Sequence, residues 1–111
     1  MTSYAVGILN EVTMGRAIVE YLERIDATLA PFGGHFIVHG DEPHVLEGTD
    51  PGTLIVIEFP DRSSAEDWYA SPDYQAIVEL RTANSTSTVF LIDGVDRDHL
   101  ATDVLHRSAH G

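Results

Sequence analysis

Along this chain the hydrophobic period runs two, about 3.6, two, two, about 3.6, two, and that order restricts the fold more than any other feature. Residues Tyr4 to Asn10 alternate, with Tyr4, Val6 and Ile8 on one face and Ala5, Gly7 and Leu9 on the other. Thr13 is a candidate N-cap. Behind it Met14, Ile18, Tyr21, Leu22, Ile25 and Leu29 recur at helical spacing, with Glu20, Glu23 and Arg24 largely off the stripe. Pro31 and the Gly33-Gly34 pair end this helix. His35 to His39 reads as a second strand, a loop rich in Gly, Asp and Pro covers Gly40 to Gly52, and Thr53 to Phe59 is the clearest strand in the chain.

Pro60 and Asp61 close that strand. Ser63 with Glu66 fits a capping box for a second helix that carries Ala65, Trp68 and Tyr69 inward. Ser71-Pro72 interrupts it, and Ser71 is expected to cap a further segment holding Tyr74, Ile77, Val78 and Leu80. After a turn at Asn84 to Thr86, Thr88 to Ile92 forms the last strand. The order β-α-β-β-α-β predicts an α+β domain with a ferredoxin-like, four-stranded antiparallel sheet and both helices on one face.

The opposite sheet face is expected to carry Leu9, Ile37, Leu54 and Val56. An apolar patch of this kind marks an interface, and two sheets packed face to face in a two-fold homodimer would cover it, as in a dimeric α+β barrel.

Composition narrows the chemistry. The chain of 111 residues suits one domain. It has no cysteine, which removes disulfides, thiolate nucleophiles and cysteine metal sites. Eighteen acids stand against six arginines, with no lysine and a formal charge of -12. That balance offers no basic footprint for nucleic acid or for an anionic membrane surface, and lysine Schiff-base chemistry is excluded. No apolar stretch is long enough to span a bilayer, and Met1-Thr2-Ser3-Tyr4 lacks the basic start of a signal peptide, so a cytoplasmic protein is expected.

Leu46-Glu47-Gly48, Ile57-Glu58-Phe59-Pro60, the run Trp68-Tyr69-Ala70-Ser71-Pro72-Asp73-Tyr74-Gln75, and Arg81 together resemble the domain-of-unknown-function 1330 family. The resemblance runs from about Tyr4 to Val95 and implies small dimeric α+β barrels, ferredoxin-like in each subunit. The boundaries drawn are residues 1–95 for the domain and 96–111 for a C-terminal tail outside the resemblance. The family commonly has a basic side chain after the paired glycines and another near the end of that strand. This chain has His35 and His39 there.

Glu58 interrupts an apolar strand on the face assigned to the dimer interior. A desolvated carboxylate there can serve as acid or base, or it can form a structural pair with a partner such as Arg81. His35 and His39 share the parity of Ile37 and are placed on Glu58's face. Pairing of His39 with Leu54 would bring His35 opposite Glu58, as a proton-transfer pair or as solvated imidazoles on an edge strand. Ala5 and Gly7 are placed on that face too, leaving room for a ligand or for tight packing. Trp68, Tyr69 and Tyr74 cluster around the Ser71-Pro72 break, as core or as the lining of a pocket mouth. His35, His39 and His44 match no standard zinc spacing, nor do His99, His106 and His110, so no metal and no cofactor are expected.

The candidate catalytic residues are therefore Glu58, His35 and His39, and the candidate ligand-binding residues Tyr74, Arg81 and Trp68. The expected function is small-molecule binding, with cofactor-independent acid–base chemistry on a small organic molecule as the reaction those groups support. The alternative is a non-catalytic homodimeric ligand-binding or interaction module.

Overall fold

The computed structural model describes residues 1–106. Its elements are β1 (Ser3–Asn10), α1 (Arg16–Leu29), a short 3-10 turn (Ala30–Phe32), β2 (His35–His39), β3 (Thr53–Phe59), α2 (Arg62–Ala70), α3 (Pro72–Gln75), α4 (Val78–Thr82), β4 (Thr86–Asp93) and a 3-10 segment (Ala101–His106). The sheet order is β2-β3-β1-β4 with every neighbouring pair antiparallel, which is the ferredoxin-like arrangement expected from the periodicities. No helix among the described residues is long and apolar enough to cross a membrane.

The strand register decides which face is covered. Ala5 lies opposite Ile57 and Gly7 opposite Ile55, and Ala5 and Ile57 are buried with Tyr21, Ile25, Leu29 and Phe59 beneath the helices. The other face holds Tyr4 opposite Glu58, Val6 opposite Val56 and Ile8 opposite Leu54. This corrects the assignment of Ala5, Gly7 and Leu9 to the open face: they sit on the helix side. Both faces of β1 are apolar, so alternation alone could not choose between them.

A second correction concerns β2. His35 pairs with Glu58 and Phe36 with Ile57, but the register shifts between Phe36 and Val38, so Val38 pairs with Val56 and His39 with Ile55. This β-bulge adds one residue to the strand and inverts the parity beyond it. His39 therefore leaves Glu58's face, and its ring stacks on that of Phe36 at 4.2 Å between centroids.

The helix ends also differ from expectation. The first helix begins at Arg16, after Gly15, so Thr13 is not its cap and Met14 is exposed outside it. The Thr13 N–H instead donates to the Asn84 carbonyl, 2.8 Å away. Asp61, not Ser63, caps α2: its carboxylate accepts from the Ser64 N–H at 2.8 Å, and that bond holds it below the usual carboxylate range. Tyr69 is exposed, while Ala65 and Trp68 point inward. In the tail, Leu100 is exposed just before the 3-10 segment Ala101–His106, and Val104 and Leu105 are exposed on it. Residues 107–111 of the proposed tail, with His110, lie outside the described residues.

The α1–β2 connection needs its glycines. Gly33 has a φ of 71°, which an L side chain resists. A Cβ on Gly34 would come within 2.6 Å of the Phe59 ring and 2.9 Å of Leu29, both in the core. Gly34→Ala should therefore cost about 1–3 kcal/mol of stability through overpacking, read as a lower urea midpoint with an unchanged slope. A midpoint equal to the parent's would mean that the ring moves freely. Deletion of everything after Val95 should leave cooperative unfolding intact, since the described tail buries no apolar side chain; loss of the transition would place the tail within the domain.

Candidate functional site

The site grows from the break in the second helical stretch. The Ser71 Oγ donates to the Trp68 carbonyl at 2.7 Å and accepts from the Tyr74 N–H at 3.3 Å, which ends α2 and starts α3 with Pro72 at its first turn. The chain changes direction there, so Trp68 and Tyr74 both turn into the core, their rings 4.2 Å apart. Trp68 has its indole N–H committed to Thr28 Oγ1 at 3.0 Å, and Thr28 donates onward to the Ile25 carbonyl. Its contribution is a rigid wall.

The polar end of the site is formed by Tyr21, Tyr74 and Arg81. The two phenol oxygens are 2.8 Å apart, a buried hydrogen bond between α1 and α3. Arg81 from α4 lies 5.9 Å above the Tyr21 ring centroid and donates through Nη1 to Ser87 Oγ at 2.6 Å. Only 5% of Arg81 is exposed. Burial works against its charge, and the Tyr74 and Tyr21 oxygens more than offset this, holding it protonated. Burial pushes the Tyr21 phenol up, the Tyr74 hydroxyl adds to the shift and the Arg81 charge opposes it.

Below these groups a cavity of about 80 Å³ lies between α1 and the sheet. Ala5, Gly7, Ile25 and Ile57 form apolar walls, and Trp68, Tyr74, Tyr21, Arg81 and His39 also line it. Gly7 leaves the sheet floor low, since the nearest atoms to an added Cβ lie at 3.4 Å or more. A space of this size holds a ligand of only a few heavy atoms, given about 30 Å³ for each water in the liquid.

The candidate residues thus separate onto the two faces of the sheet. Tyr74, Arg81, Trp68 and His39 line the cavity on the helix side. Glu58 and His35 pair on the open side, with His35 Nε2 and Glu58 Oε1 3.2 Å apart. Glu58 is not buried within one chain, its side chain being 34% exposed, and Arg81 is not its partner. Among the described residues no three His, Cys, Asp or Glu side chains gather closely enough to hold a metal ion. Sequence reasoning placed Tyr21 in the core and missed its role. The available signal was a phenol within an otherwise apolar helical stripe, because a buried Tyr hydroxyl needs a partner.

Several solved structures share this architecture. A protein of unknown function from Rhodopseudomonas palustris superposes with a TM-score of 0.66 at 15% identity, over 86% of this chain and 83% of that one. A dimeric ferredoxin-like protein of unknown function from Jannaschia sp. gives 0.59 at 12% identity, over 85% and 100%. A variant of SnoaB, a cofactor-independent oxygenase from Streptomyces nogalater, gives 0.51 at 20% identity, over 90% and 97%. At these identities the likeness is one of fold. Among curated proteins none matches the chain in sequence. The family model described as Domain of unknown function (DUF1330) matches residues 2–95.

The raised Tyr21 phenol carries a stability signature. A phenol whose folded pKa exceeds its unfolded value near 10 stabilises fully below that value, and the contribution is lost as pH rises through the folded one. Unfolding free energy should therefore fall above pH 10 by up to about 1.4 kcal/mol per pH unit from this group, and Tyr21→Phe should flatten that slope. Urea melts at successive alkaline pH values check this; equal slopes in parent and variant would show an unshifted phenol.

Proposed function

The chain belongs to the domain-of-unknown-function 1330 family, and from its own residues we propose that it is a homodimeric small-molecule-binding protein whose ligand occupies the cavity between α1 and the sheet. The observation that carries this reading is the convergence of three buried polar side chains, Tyr21, Tyr74 and Arg81, on an apolar, partly enclosed space. Apolar walls with a few placed polar groups are the ordinary anatomy of a ligand site.

The chemistry such a cavity supports is proton transfer without a cofactor. His39, on its lining, supplies a base, and the phenol pair supplies hydrogen-bond donors to an oxygen that gains charge. The cofactor-independent oxygenase among the structural neighbours is compatible with this as an analogy of fold. The separation of Glu58 and His35 from the cavity favours, as a second reading, binding without catalysis, because the strongest carboxylate–imidazole pair faces away from the ligand. We assign that pair to the dimer interior.

The dimer is proposed from the open sheet face. Tyr4, Val6, Ile8, Val56, Leu54, Phe90 and Ile92 share it by register, and Leu54, Phe90 and Ile92 are exposed there. Ferredoxin-like neighbours described as dimeric support a dimer as such. Packing of two such faces buries both patches and encloses Glu58 and His35.

Two measurements test the proposal. Sedimentation at micromolar concentration should give a dimer for the parent and a monomer for Phe90→Glu, which places a charge on the open face beside Val6; a monomeric parent would refute the assembly. Xenon, a neutral probe of apolar cavities, should shift methyl resonances of Ile25 and Ile57 in the parent. Gly7→Val, which fills the cavity floor, should abolish the shift, and a parent unresponsive to xenon would remove the cavity as a binding site.

A further inference from the structure

The proposed ligand site contains a feature that a site for a neutral apolar molecule would not need. Arg81 is buried, it lines the cavity, and no carboxylate pairs with it within 4.0 Å among the described residues. Every buried side-chain N or O among those residues has a hydrogen-bond partner, so Arg81 is not orphaned. Its partners are neutral, however. Ser87 Oγ accepts one N–H, the uncharged Tyr74 and Tyr21 hydroxyls lie beside the group, and the Tyr21 ring offers its face. Hydroxyls and a π face satisfy geometry without neutralising a charge held out of water. This happens in a chain with three times as many acids as cationic side chains. A counter-carboxylate was therefore abundant in composition and is still missing at this position.

We propose that the ligand supplies the missing negative charge: the cavity binds a small organic monoanion, a carboxylate on a short apolar body, with its oxygens between Arg81 and the Tyr21–Tyr74 hydroxyls. The inference rests on the cavity being a ligand site, and it adds the ligand's chemical class. Arg presents five N–H donors in a planar fork suited to a carboxylate, and the Ser87 bond uses one donor while fixing the group's orientation. The hydroxyl pair is adaptable: either phenol can be the donor in the 2.8 Å bond, so one proton can turn to an arriving oxygen while the other keeps the pair together. The body of the acid would lie along Ala5, Gly7, Ile25 and Ile57. About 80 Å³ suits three or four carbons, with anything longer emerging toward the rim.

The test compares butyrate with butyramide, its neutral match in shape, by calorimetry and amide-resolved NMR on the full chain at constant ionic strength near pH 7. Butyrate should bind at least ten times more tightly, with shifts centred on Tyr21, Tyr74, Arg81 and Ser87. Arg81→Met should remove that preference while keeping the xenon response. Should Arg81→Met fail to fold, Tyr74→Phe, which keeps the ring, should weaken butyrate several-fold, and unchanged butyrate affinity in it would overturn the inference. Equal affinities for the two probes, or butyrate affinity retained in a folded Arg81→Met, would overturn the inference. A chain that takes up xenon but neither organic probe overturns it too and leaves the cavity reading standing, whereas a chain deaf to xenon as well overturns both.

Discussion

The break at Ser71-Pro72 is the constraint on which the site depends. In an unbroken helix residues 68 and 74 would be about 1.7 turns apart, on different sides of the cylinder. Pro72 cannot continue the hydrogen bonding of α2, and the Ser71 hydroxyl satisfies groups on both sides of the break. The redirected chain lets Trp68 and Tyr74 face the same core, and only then can the Tyr74 hydroxyl meet Tyr21 on α1. That hydrogen bond in turn ties the last helical segments to the first. Arg81, on the next segment α4, is held over the Tyr21 ring. One local interruption thus assembles groups drawn from four helices.

Much of this was legible without coordinates, and the exceptions have physical causes. The bounds of β2 and β3 were readable because glycine, proline and acidic turns flank apolar alternation. The Ser71-Pro72 break was readable because proline acts locally. What failed was inference from parity. The β2 bulge depends on how that strand meets β3, and nothing within His35 to His39 announces it. One added residue carried His39 to the opposite face and divided a single expected acid–base cluster into two. The face of β1 failed for another reason: Tyr4, Val6 and Ile8 match Ala5, Gly7 and Leu9 in apolarity, and the choice is made by size. Helices pack closely over small residues, so Ala5 and Gly7 go beneath them.

The two faces of the sheet consequently carry different physics. On the open side the unbalanced quantity is apolar area, which water disfavours roughly in proportion to its extent and without regard to direction. A second sheet is a sufficient answer to it. On the helix side the unbalanced quantity is a charge, which is directional and demands a partner of opposite sign at hydrogen-bonding distance. On the open side Glu58 has a local partner in His35, 3.2 Å away, although at its exposure that pairing contributes at most about 1 kcal/mol.

Three features around the cavity each oppose stability. Glycine in a strand interior costs about 0.5–1 kcal/mol relative to alanine. An unfilled space of about 80 Å³ costs about 2 kcal/mol at the rate seen for core truncations. A buried guanidinium without a carboxylate adds a desolvation cost of its own. Elsewhere the core shows the opposite character: Phe59, Leu29 and Ile77 are sealed from solvent. Ordinary substitutions would remove each fault separately, a larger residue at Gly7 or a neutral one at Arg81. Packing accidents have no reason to gather at one place in an otherwise well-filled core. Local departures from good packing and charge balance are expected to coincide where a chain binds something. Their coincidence at Gly7 and Arg81, both on the lining of one space, is the strongest physical argument for reading this space as a site.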